Sequence, residues 1–277
     1  MKIDCHVHVT PPSITSDWKK YAEKEPYFSL LSRSKVNKFA AAEDVAAMLK
    51  KEKIDKAVVF GFAFQDLSLC RYVNDYVIEK VKEFPELTGF AVVPPCGMSA
   101  AKEIERCCKA GLKGVGELFP AGQNINLEKK EETACITDVC RELDIPLLLH
   151  ANELAGHDYA GKTDVPLRHI ETFISDNSGL KIILAHWGGG IFLYEAMKEI
   201  KEKFRNVYYD TAATPFIYDE RIYRAAKALD LCGKILFGSD YPILSPSRYE
   251  EGIKKSGLHD EELKLILGEN VRRLLKL

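Results

Sequence analysis

Short apolar runs, each followed by a stretch with helical periodicity, recur along the chain, and this alternation limits the fold more than any other feature. An opening strand at 3–8 is followed by β-branched and aromatic runs at 57–60, 88–93, 114–119, 146–150, 181–186, 207–211 and 235–238. Helices are expected between them at 42–52, 67–84, 99–110, 129–143, 166–176, 191–204 and 219–229, with 249–255 and 261–275 closing the chain. Strands alternating with helices pair in parallel, and eight such units in 277 residues predict a (β/α)8 TIM barrel. A doubly wound open sheet would use fewer strands, and no GxGxxG follows the first one. With no repeat, low-complexity tract or flexible linker, residues 1–277 read as one domain. The stretch from 9 to 40 stands outside this scheme. It holds Pro11-Pro12, Trp18, Tyr21, Tyr27, Phe28 and Arg33, and a loop this long after strand one predicts a lid or pocket wall. Its alternative is an insertion merely packed on the barrel.

In such a barrel the functional side chains stand where strands end, at the C-terminal face. His6 and His8 lie two residues apart on a strand and therefore project to one face. Glu117 falls in strand four, His150 ends strand five, His186 ends strand six, and Asp240 follows strand eight in Phe237-Gly238-Ser239-Asp240-Tyr241-Pro242. Each follows an apolar run, where a buried charge or imidazole needs a partner. Six such groups on one rim supply partners for one another, and imidazoles with carboxylates point to a divalent metal. Taken singly, each has a plainer role. His150 could bond a carbonyl, Asp240 could cap a turn, and Glu117 could pair with an internal Lys. Gly188-Gly189-Gly190 after His186 suggests close approach of backbone to a ligand and the opening of a helix, but the run lacks the Lys-Ser/Thr of a phosphate loop. His157, His169 and His259 match no pattern and read as surface residues. Substrate contacts are expected just past the strand ends, at Phe62, Phe64, Asn152, Trp187 and Tyr241, with Arg33 as a clamp for a substrate carboxylate.

Composition narrows the partners. Hydrophobic residues make up 46% and charged residues 29%, and no apolar run is long enough to span a bilayer, so a membrane protein is not expected. The start, Met1-Lys2-Ile3-Asp4, lacks the apolar core of a signal peptide. Net charge is -2 without a basic field, which argues against a nucleic-acid partner. Eight cysteines without a CxxC pair are expected to be reduced thiols in a cytoplasmic protein.

Together, His6-Val7-His8, Leu147-Leu148-Leu149-His150, Ala185-His186-Trp187-Gly188-Gly189-Gly190, the Gly238-Ser239-Asp240-Tyr241-Pro242 segment and the ending at 267–274 resemble the amidohydrolase superfamily. The branch resembled is the amidohydrolase-related one that includes the aminocarboxymuconate-semialdehyde decarboxylase type. The resemblance implies a metal-dependent barrel enzyme acting on a small molecule, with His6, His8, His150 and Asp240 as ligands of a divalent metal, zinc first. In decarboxylase-like members the position of His186 is a catalytic group beside the metal. Glu117 departs from that one-metal pattern and resembles members with two ions bridged by a strand-four carboxylate. His6, His8 and Asp240 would then hold one ion, and His150 and His186 the other. Gly114-Val115-Gly116-Glu117 is also similar to TatD-type nucleases, which the other motifs fit less well. The resemblance allows a homodimer, although nothing in the sequence shows an interface.

Three activities follow as expectations. The first is hydrolysis of an amide, ester or lactone in a small molecule, with or without a carboxylate of its own, with Asp240 as base and His186 as second-metal ligand or electrophilic helper. The second is non-oxidative decarboxylation, which needs no bridging carboxylate. The third is a non-catalytic barrel that has kept a metal.

Overall fold

The computed structural model of the protein describes residues 1–35, 38–95 and 97–277. Among them, eight strands follow in order: β1 (Ile3–His8), β2 (Lys56–Phe60), β3 (Leu87–Gly89), β4 (Val115–Leu118), β5 (Leu147–Leu149), β6 (Ile182–Leu184), β7 (Val207–Asp210) and β8 (Ile235–Leu236). All pairings are parallel and form two arcs, β1-β2-β3 and β4-β5-β6-β7-β8. Single parallel bridges join the arcs at both seams, Ala91 with Val115 and Val7 with Tyr241. At the second seam Cys5 N donates to Phe237 O, His8 N to Tyr241 O, and Asp240 N to His6 O, at 2.8, 2.8 and 3.0 Å. The ring with helices between its strands is the expected (β/α)8 TIM barrel. Its short apolar strands are buried on both faces, as a parallel sheet covered by helices requires.

Most helices fall where the periodicity places them, among them Ala42–Glu52, Leu67–Glu83, Met98–Lys109, Lys130–Glu142 and Leu167–Asp176. Leu67–Glu83 shows why. Asp66 caps it by accepting from Leu69 N at 3.0 Å, and Cys70, Val73, Asn74, Val77 and Ile78 line one buried face at helical spacing.

Two elements differ from the sequence reading. β3 is shorter than 88–93, because Val92 N and Val92 O both bond the Asn74 side chain, at 2.9 Å each, in place of a neighbouring strand. No α-helix opens at the glycine run. His186, Trp187, Gly188, Gly189 and Gly190 all have positive φ, which no right-handed helix allows, and the α-helix starts only at Lys198. A Cβ on Gly189 would sit 2.3 Å from Asn152 O, so the close approach there is to the loop after β5 rather than to a ligand.

The segment after β1 folds into three short helices, Pro12–Ser16, Trp18–Ala22 and Pro26–Ser32. Buried Glu25 pins it to the loop after β2 by accepting from Gln65 N and Asp66 N. Tyr27 packs on Phe119, with ring centroids 4.2 Å apart, and donates to Ala160 O. Val36 and Asn37 of this segment, and Cys96, lie outside the described residues. Cys5, Cys70, Cys107, Cys108, Cys140 and Cys232 are free thiols, whereas Cys135 is disulfide-bonded, which corrects the expectation of reduced cysteines there. No helix among the described residues is long and apolar enough to cross a membrane.

Gly116, just before Glu117 on β4, has φ 127, and a Cβ there would meet Leu148 O of β5 at 2.3 Å. Gly116→Ala is therefore expected to cost about 1–3 kcal/mol through backbone strain and the forced separation of β4 from β5. Thermal unfolding would show it as a lowered Tm, and an unchanged Tm would mean that β4 relaxes freely.

Candidate metal centre

The six polar residues expected on the rim do converge. His6, His8 and Asp240 form one group and Glu117, His150 and His186 a second; within each group the potential ligand atoms lie within 4.8 Å of one another. Glu117 connects them. Its Oε2 lies 3.6 Å from both His6 Nε2 and His8 Nε2, while its Oε1 lies 2.8 Å from His150 Nδ1 and 3.7 Å from His186 Nε2. His6 Nε2 and His8 Nε2 are 3.3 Å apart, and Asp240 Oδ1 is 3.6 and 3.4 Å from them. Four donors on a tetrahedron of radius about 2.0–2.2 Å would be about 3.3–3.6 Å apart. The first group with Glu117 Oε2 therefore has the spacing of a small divalent ion's coordination sphere. The second group offers three protein atoms and leaves coordination positions open, as catalytic metal sites do.

The imidazoles are oriented from behind. A carboxylate or carbonyl oxygen only accepts, so His6 Nδ1 donates to Asp210 Oδ2 at 2.8 Å and His186 Nδ1 to Ala212 O at 3.1 Å, whereas His150 lies between two acceptors, Gly161 O at 3.0 Å from Nε2 and Glu117 Oε1 at 2.8 Å from Nδ1. The rings of His6 and His186 thus spend their N–H outward and turn the other nitrogen inward, the arrangement that fixes the tautomer of metal-binding histidines. His8 is held by stacking on Phe62, with centroids 5.2 Å apart, and its buried Nδ1 has no hydrogen-bond partner. Asp210 also accepts from His186 N and Ala212 N at 2.9 and 3.0 Å, so one buried carboxylate positions a residue from each group. The bond to His186 N offsets the strain of that residue, whose φ is 54°, and the bond from Asp240 N to His6 O that of Asp240, whose φ is 61°.

Burial opposes charge on Glu117, Asp240, His6 and His150, yet the neighbours prevail at the first three. Against burial, His6, His150 and His186 hold Glu117 well below the usual carboxylate range. Against burial, His8, His6 and His186 bring Asp240 down to about 2. Burial would lower His6, but Asp210, Glu117 and Asp240 raise it to about 10. All three shifts express a demand for positive charge at the centre of the cluster. His150 goes the other way, lowered by burial.

A cavity of about 390 Å³ opens above the cluster, reached by His8, Glu117, His150, His186 and Asp240. Its walls include Leu31 and Ser34 of the segment after β1, so that segment does form pocket wall. Of the expected contacts past the strand ends, Phe62 lines the cavity, but Phe64, Asn152, Trp187, Tyr241 and Arg33 do not. Phe64 turns inward to pack on Phe28. Trp187 is fully buried against Phe192 and Tyr223, with Nε1 donating to Thr214 Oγ1 at 2.7 Å. Asn152 bonds both N and Oγ1 of Thr163 and closes the loop after β5. Tyr241 bridges β1 across the seam, and Arg33 is exposed. Further wall comes from Phe119 directly after β4 and, from farther along the segments after β5, β7 and β8, from Tyr159, Phe216, Ile217 and Ile243. His157, read as a surface residue, is exposed but contributes to the wall. Asp210 is the positioning residue that the sequence reading passed over, although it ends the apolar run of β7 as the others end theirs.

Proteins of known structure share this architecture. The 5-carboxyvanillate decarboxylase LigW of Sphingomonas paucimobilis superposes with a TM-score of 0.79 at 15% identity, over 100% of this chain and 99% of that one. A dihydroxybenzoic acid decarboxylase of Polaromonas sp. JS666, solved with manganese and the inhibitor 2-nitroresorcinol, gives 0.73 at 18% identity, over 100% and 97%. A protein of Acinetobacter baumannii assigned as a 2-pyrone-4,6-dicarboxylic acid hydrolase, holding citric acid, gives 0.65 at 16%, over 100% and 99%. Identities this low carry the fold alone. No curated protein matches the sequence. The sequence profile of the amidohydrolases, however, matches residues 3–277, which takes in both histidines of β1 and Asp240 after β8, and the chain belongs to the amidohydrolase family.

Proposed function

We propose that the protein is a metal-dependent hydrolase that cleaves an amide, ester or lactone bond of a small molecule at a centre of two divalent ions. The division of Glu117 between the two groups, one oxygen to each, carries this reading. Enzymes of the amidohydrolase family use divalent metals. Here His6, His8, Asp240 and Glu117 Oε2 would hold one ion, and His150, His186 and Glu117 Oε1 the other. Imidazole and carboxylate donors at tetrahedral spacing suit zinc.

Held there, such ions supply hydroxide from water near neutral pH and polarise a substrate carbonyl. The chain's own residues do the rest. Asp240 turns Oδ1 to the two imidazoles of β1, which leaves Oδ2 to accept the proton of the attacking water and return it to the leaving nitrogen or oxygen. Asp210 fixes the tautomer of His6. Phe62 and Phe119 keep bulk water from the reacting atoms. Decarboxylation of a small acid asks for no shared carboxylate. It receives less support from a cavity that no Lys or Arg lines among the described residues, and the same lack of cations speaks against a nuclease.

Elemental analysis of the wild type and Glu117→Gln in parallel tests the bridge. Two equivalents of metal per chain should fall to one or fewer in the variant, and turnover of an amide, ester or lactone should be lost with chelator. One equivalent unaffected by the substitution would remove the bridge and place decarboxylation level with hydrolysis.

A further inference from the structure

The cavity wall is apolar nearly throughout, with Leu31, Phe62, Phe119, Phe216, Ile217 and Ile243 facing the ligand groups. Outside those groups its polar side chains are Ser34, His157 and Tyr159. Tyr159 donates its phenol hydrogen to Glu153 Oε1 at 3.1 Å, and Glu153 Oε2 is buried with no hydrogen-bond partner. Among the described residues no Lys or Arg lines the cavity, whereas Glu117 and Asp240 do. The nearby cations are turned elsewhere. Lys162 Nζ donates to the carbonyls of Ala155, Gly156 and His157 at 2.9, 3.0 and 3.1 Å, and Arg33 is exposed to solvent. A carboxylate carried on the body of a substrate, away from the ligand groups, would thus be desolvated among aromatic and aliphatic side chains, with no Lys or Arg of the described wall to pair with it.

We propose that the substrate is a small neutral molecule, apolar apart from the carbonyl group it presents to the ligand groups, and that molecules carrying a further carboxylate are rejected. This rests on the metal-dependent reading above. It also withdraws the role of carboxylate clamp from Arg33.

Benzohydroxamic acid and its 4-carboxy derivative share one metal-binding group and differ by one charge on the ring. Their affinities would be measured by calorimetry on metal-loaded protein whose ion content has been determined. The neutral ligand should bind at least tenfold more tightly. Phe216 lines the cavity yet is 46% exposed, so Phe216→Arg can fold and should narrow the ratio at least tenfold by offering a guanidinium to the carboxylate. Arg33→Ala should leave the ratio unchanged. Equal affinities, a preference for the carboxylated ligand, a selective loss of that ligand in Arg33→Ala, or no binding of either to loaded protein would overturn the proposal. A chain that takes up no ion would instead sink the metal reading. The ratio would then be read on that chain with benzamide and 4-carboxybenzamide by ligand-observed NMR, and absence of a tenfold preference for benzamide would overturn the proposal there too.

Discussion

Replacing Asp210 by asparagine is expected to weaken divalent-metal binding by about 10–100-fold, with turnover falling at least as far. Asp210 is fully buried and has both oxygens in use, Oδ2 on His6 Nδ1 and Oδ1 on the amides of His186 and Ala212. An asparagine of the same shape has one oxygen. Either the His6 N–H or the pair of backbone amides would then face a donor, and a buried donor left without an acceptor costs about 1–3 kcal/mol. If His6 loses its acceptor, its ring is free to change tautomer and turn an N–H toward the cluster. Because Asp210 also sets the backbone of His186, both ion positions should weaken together. That separates this variant from one acting on a single group. Titration against a competing chelator would measure it, with circular dichroism to show that the barrel is intact. Undiminished affinity at both positions would mean that the carboxylate orients nothing.

The largest loss of stability is expected from Lys234→Met, about 3–5 kcal/mol. Lys234 Nζ lies 2.6 and 2.7 Å from the two oxygens of Glu195 and donates to Phe204 O at 2.9 Å. The side chain of Glu195 is 1% exposed and that of Lys234 18%, so solvent screens the pair little. Without the lysine, Glu195 keeps only the hydroxyl of Tyr209, at 2.7 Å, and a buried carboxylate lacks its counter-charge. Removing both charges in Lys234→Met with Glu195→Leu should recover most of the loss, because no uncompensated ion then remains. Urea unfolding of the three variants at neutral pH tests this. A single-variant loss below about 1 kcal/mol would show the pair to be worth no more than a surface one. Tyr209 precedes Asp210 on β7, so the ion pair also steadies the strand that carries the positioning carboxylate.

The barrel was legible in the sequence because its eight apolar runs are short, separated by amphipathic helices, and closed by polar residues. The same pattern exposed His6, His8, Glu117, His150, His186 and Asp240, since a polar group after a buried run stands out against its surroundings. Asp210 carried that signal too, in Val207-Tyr208-Tyr209-Asp210, but with only backbone and His6 behind it the residue had no motif to mark it. The end of β3 was not legible, because the atoms that replace its partner strand belong to the side chain of Asn74. The cavity wall was legible only in part, in the segment after β1 and in Phe62. Tyr159 and Ile243 come from loops without periodicity, and aromatic residues at the strand ends, such as Phe64 and Trp187, turn down into the core where burial of their area stabilises most.

The two seams of the ring distinguish the two ligand groups. Glu117, His150 and His186 all belong to the five-stranded arc, so their spacing survives any motion that leaves β4, β5 and β6 paired. His6, His8 and Asp240 straddle the junction of the first strand and the segment after the last, where one bridge and a few backbone hydrogen bonds hold residues from opposite ends of the chain. Breathing of that junction would pull one coordination sphere apart and leave the other whole. Exchange of ions at the two proposed positions should therefore run on separate clocks, one set by the opening of the ring and the other by ligand dissociation within an intact arc.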